Sequence, residues 1–213
     1  MKVAILGGTG ALGSGLARRL SKAGHTIIIG SRDAEKAATA AAEYGANASG
    51  ATYQDAAEKA EILILTVPFA SHDDVLTAIR EPAQGKVLID ATAPLAPPKV
   101  WRVQLPAEGS AAQRTQNSLG EGVKVVSAFQ NVGARHLHED HEIDCDVLVT
   151  GDDADAVATA MQIVTDVGLR PIKAGPLANA AAAEALTSIL IQINRTYKVP
   201  EAGIRITGLP PVT

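Results

Sequence analysis

Three glycines near the amino terminus carry the first sign of chemistry. Gly8, Gly10 and Gly13 form a G-x-G-x-x-G spacing within Gly7-Gly8-Thr9-Gly10-Ala11-Leu12-Gly13. Between a strand and a helix, the first glycine permits a tight turn and the second lets a pyrophosphate approach the backbone. The third lets the helix pack close to the strand. The helix N-terminus adds unpaired N–H groups and the positive end of its dipole. Further on stands Ser31-Arg32, a hydroxyl beside a guanidinium. An NAD-selective site carries Asp or Glu there, to accept from the ribose 2′-hydroxyl. Arg32 can instead grip a 2′-phosphate in a fixed fork, with Ser31 donating to it. Glycines and Arg32 together point to a dinucleotide, and to NADP(H) in preference to NAD(H). Asp33 is expected to turn away and cap the helix starting near Ala34.

The elements that must hold these residues can be read from periodicity. Lys2 to Leu6 is a short apolar run bounded by glycine, the pattern of a strand buried on both faces. Leu12, Leu16, Arg19 and Leu20 recur at helical spacing, and His25 to Ile29 forms a second strand. That completes one βαβ unit. Ala34 to Tyr44 reads as a helix, Ser49 to Thr52 as a strand and Tyr53 to Ala60 as a helix. Ile62 to Val67 reads as a central strand stopped by Pro68. Ser71 to Arg80 is expected to be helical with Ser71 as N-cap, Val87 to Thr92 a strand, and 93–109 a proline-rich loop containing Trp101. Ser110 to Leu119 (helix), Lys124 to Phe129 (strand), Asp146 to Thr150 (strand), Asp153 to Val167 (helix), Pro171 to Ala174 (strand) and Asn179 to about Tyr197 (helix) follow. The alternation predicts an α/β fold, a doubly wound, mostly parallel Rossmann sheet of about eight strands. Residues 1–150 are assigned to the NADP-binding domain. Residues 151–213 are read as an extension that continues the sheet, adds a long helix and completes the substrate cleft.

Composition narrows the classes. With 46% hydrophobic and 20% charged residues and a net charge of −4, the chain has the profile of a soluble α/β protein. No nucleic-acid or membrane partner is expected. The single cysteine, Cys145, excludes an internal disulfide and reads as a small core residue. Without a leader-like segment, a cytoplasmic location is expected. In such folds ligands bind beyond the C-terminal strand ends. Here those ends lead into Gly8 to Leu12, Ser31-Arg32, Val67-Pro68-Phe69, Thr92-Ala93-Pro94 and Gln130-Asn131-Val132. A reductase of carbonyls needs a proton donor over the substrate oxygen, and these segments offer none unless His72 or His136 supplies it. Hydride exchange between two flat redox rings needs orientation more than an acid.

The pattern resembles the F420:NADP oxidoreductase family, the NADPH-dependent reductases of coenzyme F420. The resemblance is carried by GGTGALG (Gly7 to Gly13), GSR (Gly30 to Arg32), TVPF (Thr66 to Phe69) and VVSAF (Val125 to Phe129). GDD (Gly151 to Asp153), GLRP with AGPL (Gly168 to Leu177) and EALT-x6-IN (Glu184 to Asn194) extend it over nearly the whole chain. It implies a Rossmann domain with a small C-terminal helical extension, a homodimer, and reversible hydride transfer between NADP(H) and the deazaflavin F420 with the rings stacked and no catalytic side chain. Gly8, Thr9, Gly10, Ala11, Leu12 and Gly13 would then hold the dinucleotide, with Thr9, Ser31 and Arg32 on the 2′-phosphate. Val67 and Pro68 would border the nicotinamide, and Ala128, Gln130 and Asn131 the deazaflavin side. Some members carry His where this chain has Gln130 and Pro where it has Gly133, so either the deazaflavin meets a different donor or the second substrate differs.

Other residues leave alternatives open. Arg135 and His136 either meet the acidic tail of F420 or form a solvated pair. Asn194 and Arg195 either line the cleft or satisfy neighbouring carbonyls and a carboxylate. The run His138 to Asp144 has metal-ligand residue types but reads as a solvated loop, and no metal is expected. Pro210-Pro211 is an unusual finish for a helical extension. Two rival functions stand beside the first: an NADPH-dependent reductase of an imine, ketone or flavin, and a non-catalytic NADPH-sensing module.

Overall fold

In the computed structural model, which describes residues 1–209, one eight-stranded sheet runs through the described residues in the order β3-β2-β1-β4-β5-β6-β7-β8. The strands are β1 (Lys2–Leu6), β2 (Thr26–Ser31), β3 (Ala48–Thr52), β4 (Ile62–Leu65), β5 (Val87–Asp90), β6 (Lys124–Ser127), β7 (Asp146–Gly151) and β8 (Arg170–Lys173). The helices are α1 (Ala11–Lys22), α2 (Ala34–Ala41), α3 (Tyr53–Lys59), α4 (His72–Ile79), α5 (Ala111–Leu119), α6 (Ala134–His138), α7 (Ala154–Asp166) and α8 (Ala180–Tyr197). Pro210-Pro211 lies outside the described residues.

The order 3-2-1-4-5-6 is that of the dinucleotide-binding sheet, with its switch point between β1 and β4. Alternation along β1 explains the two layers. Val3 and Ile5 join Leu16, Leu20, Ile27 and Ile163 on the face covered by α1, α2 and α7. Ala4 and Leu6 join Ala57, Leu63, Leu76 and Ile79 on the face covered by α3, α4 and α5. A strand buried on both sides must be apolar throughout, as β4 is at all of its positions.

The sheet departs from the parallel pattern at one seam. β7 pairs antiparallel with β6, Val126 opposite Gly151 and Ser127 opposite Thr150, and β8 then runs parallel to β7. A parallel crossover needs a helix long enough to return along the sheet. Segment 128–145 contains only the short α6, so β7 enters from the end at which β6 left. β6 also ends earlier than expected, because Phe129 takes φ +77 and turns the chain out of the strand. Asp33 caps α2 as expected, accepting from Glu35 N at 3.0 Å and Lys36 N at 3.1 Å. Ser71 precedes α4 but its side chain makes no capping bond; a short 3-10 turn, Phe69–Ser71, leads in instead.

Candidate functional site: the glycine turn and the strand ends

The glycine turn is folded by its own backbone. Gly8 N donates to Ile5 O at 3.1 Å and Gly10 N to Gly7 O at 2.9 Å, while Gly7 N reaches across to Gly30 O at 2.9 Å. Gly7 has φ +93, open mainly to glycine. A Cβ on Gly13 would sit 2.6 Å from Gly7 O and 2.7 Å from Thr66 Oγ1, so only a glycine lets α1 seat this close to β1 and β4. Thr66 is the buttress beneath the turn, donating to Leu6 O at 3.0 Å. The first turn of α1 has no side-chain cap and no acidic residue. α2, α3, α5 and α7 are capped by Asp33, Thr52, Ser110 and Asp153; α4, α6 and α8 also lack a side-chain cap, but only α1 starts from the glycine turn. The donors that a phosphate requires are therefore left for a ligand. On this observation the turn fits a dinucleotide pyrophosphate.

The end of β2 adds charge. Ser31 Oγ accepts from Asp33 N at 3.3 Å. Arg32 is exposed and forms no ion pair among the described residues. It lies close enough to Tyr53 to oppose the burial that raises that phenol's pKa. Asp33, spent on α2, does not neutralise Arg32. Next to Thr9 is a concavity of about 490 Å³, also lined by Asp33, Glu35, Lys36, Thr39 and Glu43, while Ser31 and Arg32 lie outside its lining. Lys36 is a residue that sequence reasoning misses. Its one signal is its place a helical turn after the cap, which brings its side chain to the same concavity as Thr9.

The remaining strand ends split into an apolar and a polar half. Val67 is buried and Pro68 exposed where β4 leaves the sheet. At β6, Ala128 is packed into the core, whereas Gln130 and Asn131 line a small cavity of about 200 Å³ with Thr187, Asn194 and Glu201. Gln130 Nε2 donates to Asp90 O at 2.7 Å and to Ser127 Oγ at 2.8 Å, and Thr187 donates to the Gln130 backbone carbonyl at 2.8 Å. Asn131 Nδ2 donates to Asp146 O at 2.6 Å. The side-chain oxygens of both amides are buried without a partner.

Beneath this half lies a buried ionisable network. His72 Nε2 is 3.1 Å from Asp90 Oδ2, Thr115 Oγ1 donates to the same oxygen at 2.6 Å, and Thr92 N donates to Oδ1 at 2.8 Å. Burial pushes the Asp90 carboxyl up, but the hydrogen bonds and charge of His72, with Thr115 and Thr92, hold it below its ordinary value. Glu184 on α8 accepts from Ala111 N at 2.7 Å and Ala112 N at 3.0 Å, capping α5 from outside. Burial pushes its carboxyl up to about 8, against those two bonds. His72 is thus sealed between α4, β5 and α5, not poised over a cleft. His136 is held by Glu201 O at 3.1 Å, and Arg135 pairs with Glu139 at 3.0 Å. Arg195 stacks on Trp101, 4.2 Å from the ring centroid, anchoring the proline-rich loop on α8. Asn194 Oδ1 accepts from Ala202 N at 2.8 Å.

A Rossmann sheet with an uncapped glycine turn and an unpaired arginine after β2 defines an NADP-binding protein of the nucleotide-dependent oxidoreductase class. The family model described as NADP oxidoreductase, coenzyme F420-dependent, matches residues 2–94. The F420-dependent NADP reductase of Methanothermobacter thermautotrophicus is 43% identical over 99% of this chain and 96% of its own length. That of Methanocaldococcus jannaschii is 40% identical over 98% and 99%. The crystal structure of a candidate F420-dependent NADP reductase from Arthrobacter sp. FB24 superposes with a TM-score of 0.84 at 25% identity, covering 97% of this chain and 99% of that one. This chain belongs to the F420-dependent NADP reductase family.

Proposed function

We propose that this protein transfers a hydride reversibly between NADP(H) and the deazaflavin coenzyme F420. The observation that carries the reading is the end-to-end similarity, at 40–43% identity, to F420-dependent NADP reductases, joined to an intact glycine turn and Ser31-Arg32. When bound, the two coenzymes supply the redox chemistry themselves, one as hydride donor and the other as acceptor. The protein's part is placement. Gly8, Gly10, Ala11, Leu12 and Gly13 hold the diphosphate at the α1 N-terminus, while Thr9, Ser31 and Arg32 hold the 2′-phosphate. Val67 and Pro68 wall the nicotinamide side, and Gln130 and Asn131 the deazaflavin side, with Ala128 packed in the core behind them. Residues 1–150 do the NADP binding, and 151–213 complete the cleft, with β7 crossing that boundary.

No helix among the described residues is long and apolar enough to cross a membrane. We place the protein in the cytoplasm as a homodimer joined through α8, where Ile189 is 48% exposed. Sedimentation as a monomer at micromolar concentration would contradict the dimer. The function is tested by adding NADPH to F420 with catalytic protein under anaerobic conditions. Bleaching of the F420 visible band, reversed by NADP⁺ in excess, is expected. An unchanged band alongside turnover of an imine, ketone or flavin refutes the F420 assignment, and tight NADPH binding with no acceptor turned over leaves only a sensing role.

A further inference from the structure

We propose that His136, Glu139 and His141 form a binding site for one divalent transition metal of the zinc, cobalt and nickel group, which cross-links the segment after β6 to itself. One ligand atom from each of the three side chains falls within 4.8 Å of the other two. Glu139 Oε2 and His141 Nδ1 are 3.2 Å apart, close to the edge of about 3.3 Å that bonds of about 2.0–2.1 Å give in a tetrahedron. The two imidazoles meet edge to face, with centroids 5.4 Å apart at 90°.

Three features make this a built arrangement rather than a chance meeting of surface side chains. His136 Nδ1 is buried with no hydrogen-bond partner, while its Nε2 lies 3.1 Å from Glu201 O. A metal-bound imidazole is fixed in this way, one nitrogen on the ion and the other donating to a carbonyl. Arg135 Nε holds Glu139 Oε1 at 3.0 Å and leaves Oε2 facing His141. The backbone beneath is clamped by Arg19 of α1, which donates to the carbonyls of Leu137 (3.2 Å), His136 (3.1 Å), Glu139 (2.6 Å) and His141 (3.1 Å). Closing the three ligands on an ion thus requires side-chain rotation only.

A cavity of about 230 Å³ lined by His136, His141, Glu142, Asp144 and Glu201 adjoins the site. It leaves room for water in the open coordination position; of its carboxylates, Asp144 is paired with Arg205 at 3.1 Å and Glu201 accepts from Arg135 N at 2.8 Å. Two imidazoles with one carboxylate select borderline metals over magnesium or calcium. Around it the same segment grips the dinucleotide helix, for His138 Nε2 lies 2.9 Å from Ala11 O and Asp140 pairs with Arg18 and Lys22. The run from His138 onward, taken alone, gives no reason to expect a metal. The His that completes the set, His136, stands before that run, while His138 and Asp140 turn away to α1.

The test uses the full-length protein stripped with a chelator and titrated with Co²⁺, then back-titrated with Zn²⁺. One equivalent of Co²⁺ is expected to give the intense visible bands of a four-coordinate site, with a Kd below about 10 µM, and Zn²⁺ to displace it. H136A, H141A and E139Q should each weaken Co²⁺ binding at least tenfold while keeping the wild-type circular dichroism, and H138A should not. Metal should raise the melting temperature of the wild type but not of H141A, and Mg²⁺ should do neither. No saturable Co²⁺ signal, or a signal that survives H136A and H141A, overturns the proposal. The readouts are independent of F420 turnover.

Discussion

Glu184→Gln isolates the energetic consequence of burying a carboxyl at the head of another helix. In the folded protein Glu184 titrates near 8, against an ordinary value of 4.5. An acid whose folded pKa is raised holds its proton more tightly when folded, so its stabilising contribution is full below pH 4.5 and is lost as pH rises through 8. Integrating between pH 6 and 9 gives a loss of about 2.6 kcal/mol. For a chain of this size that corresponds to roughly 5–10 °C in Tm. The introduced amide cannot ionise, and its single oxygen must serve both Ala111 N and Ala112 N. The variant should therefore be about 1 kcal/mol less stable than wild type at pH 6, yet more stable by roughly 1–2 kcal/mol at pH 9. Urea unfolding of both proteins across that range, followed by circular dichroism, reads the difference. Crossing curves are expected. Parallel curves would mean that Glu184 is ionised throughout, and the reasoning from burial would fall.

Arg32→Ala removes the charge placed for a 2′-phosphate, worth about 1.5–3 kcal/mol as a charge-assisted contact. KM for NADPH should rise roughly 10–100-fold with little change for NADH, and equal effects on both would reject the NADP assignment. Gly13→Ala puts a methyl 2.6 Å from Gly7 O. It should cost about 1–3 kcal/mol in a thermal melt and weaken NADPH binding at least tenfold by fluorescence titration, whereas unaltered binding would show that α1 need not sit so close. Arg170→Met strips the bidentate partner, at 2.7 and 2.6 Å, from buried Asp146; Arg205 Nη1 at 3.1 Å and Ile206 N at 2.6 Å remain on the carboxylate, so the expected loss is about 1.5–3 kcal/mol. Arg170's hydrogen bonds hold the Asp146 carboxyl below its ordinary value, stability present above that value and lost as pH falls. Acid unfolding should therefore be steeper in wild type than in the variant, and identical acid limbs would refute the pairing.

What can be read ahead of the structure is what the chain encodes locally. β1, the glycine turn and α1 are adjacent in sequence, and each glycine is dictated by atoms a few residues away, so spacing alone locates the dinucleotide turn. Asp33 is legible for the same reason, since a cap acts on the next two or three amides. The antiparallel entry of β7 is not, because strand direction depends on how segment 128–145 travels, and α6 is too short to show a period. Thr66 under the turn and Glu184 at the head of α5 act across large sequence separations, and Lys36 comes to share a concavity with Thr9 only once β2 has carried the chain back to the turn. A buried glutamate capping a distant helix looks, in sequence, like any charged residue on an amphipathic stripe.

The polar groups beneath the strand ends bear on the chemistry as well as the fold. His72 Nε2, Asp90 and Thr115 bond one another while His72 Nδ1 is buried without a partner, Glu184 is committed to the α5 amides, and Gln130 and Asn131 spend their amide nitrogens on backbone carbonyls. Each such bond fixes the backbone from which Thr92 or Val132 departs, so these residues stiffen the walls of the cleft instead of reaching into it. A carbonyl or imine reductase would have to free one of them to deliver a proton, leaving a buried partner unsatisfied at about 1–3 kcal/mol. Hydride exchange between two rings that accommodate their own charge makes no such demand. The enclosure of His72, Asp90 and Glu184 in the protein interior, away from the cleft, thus favours a second ring over a carbonyl as the acceptor.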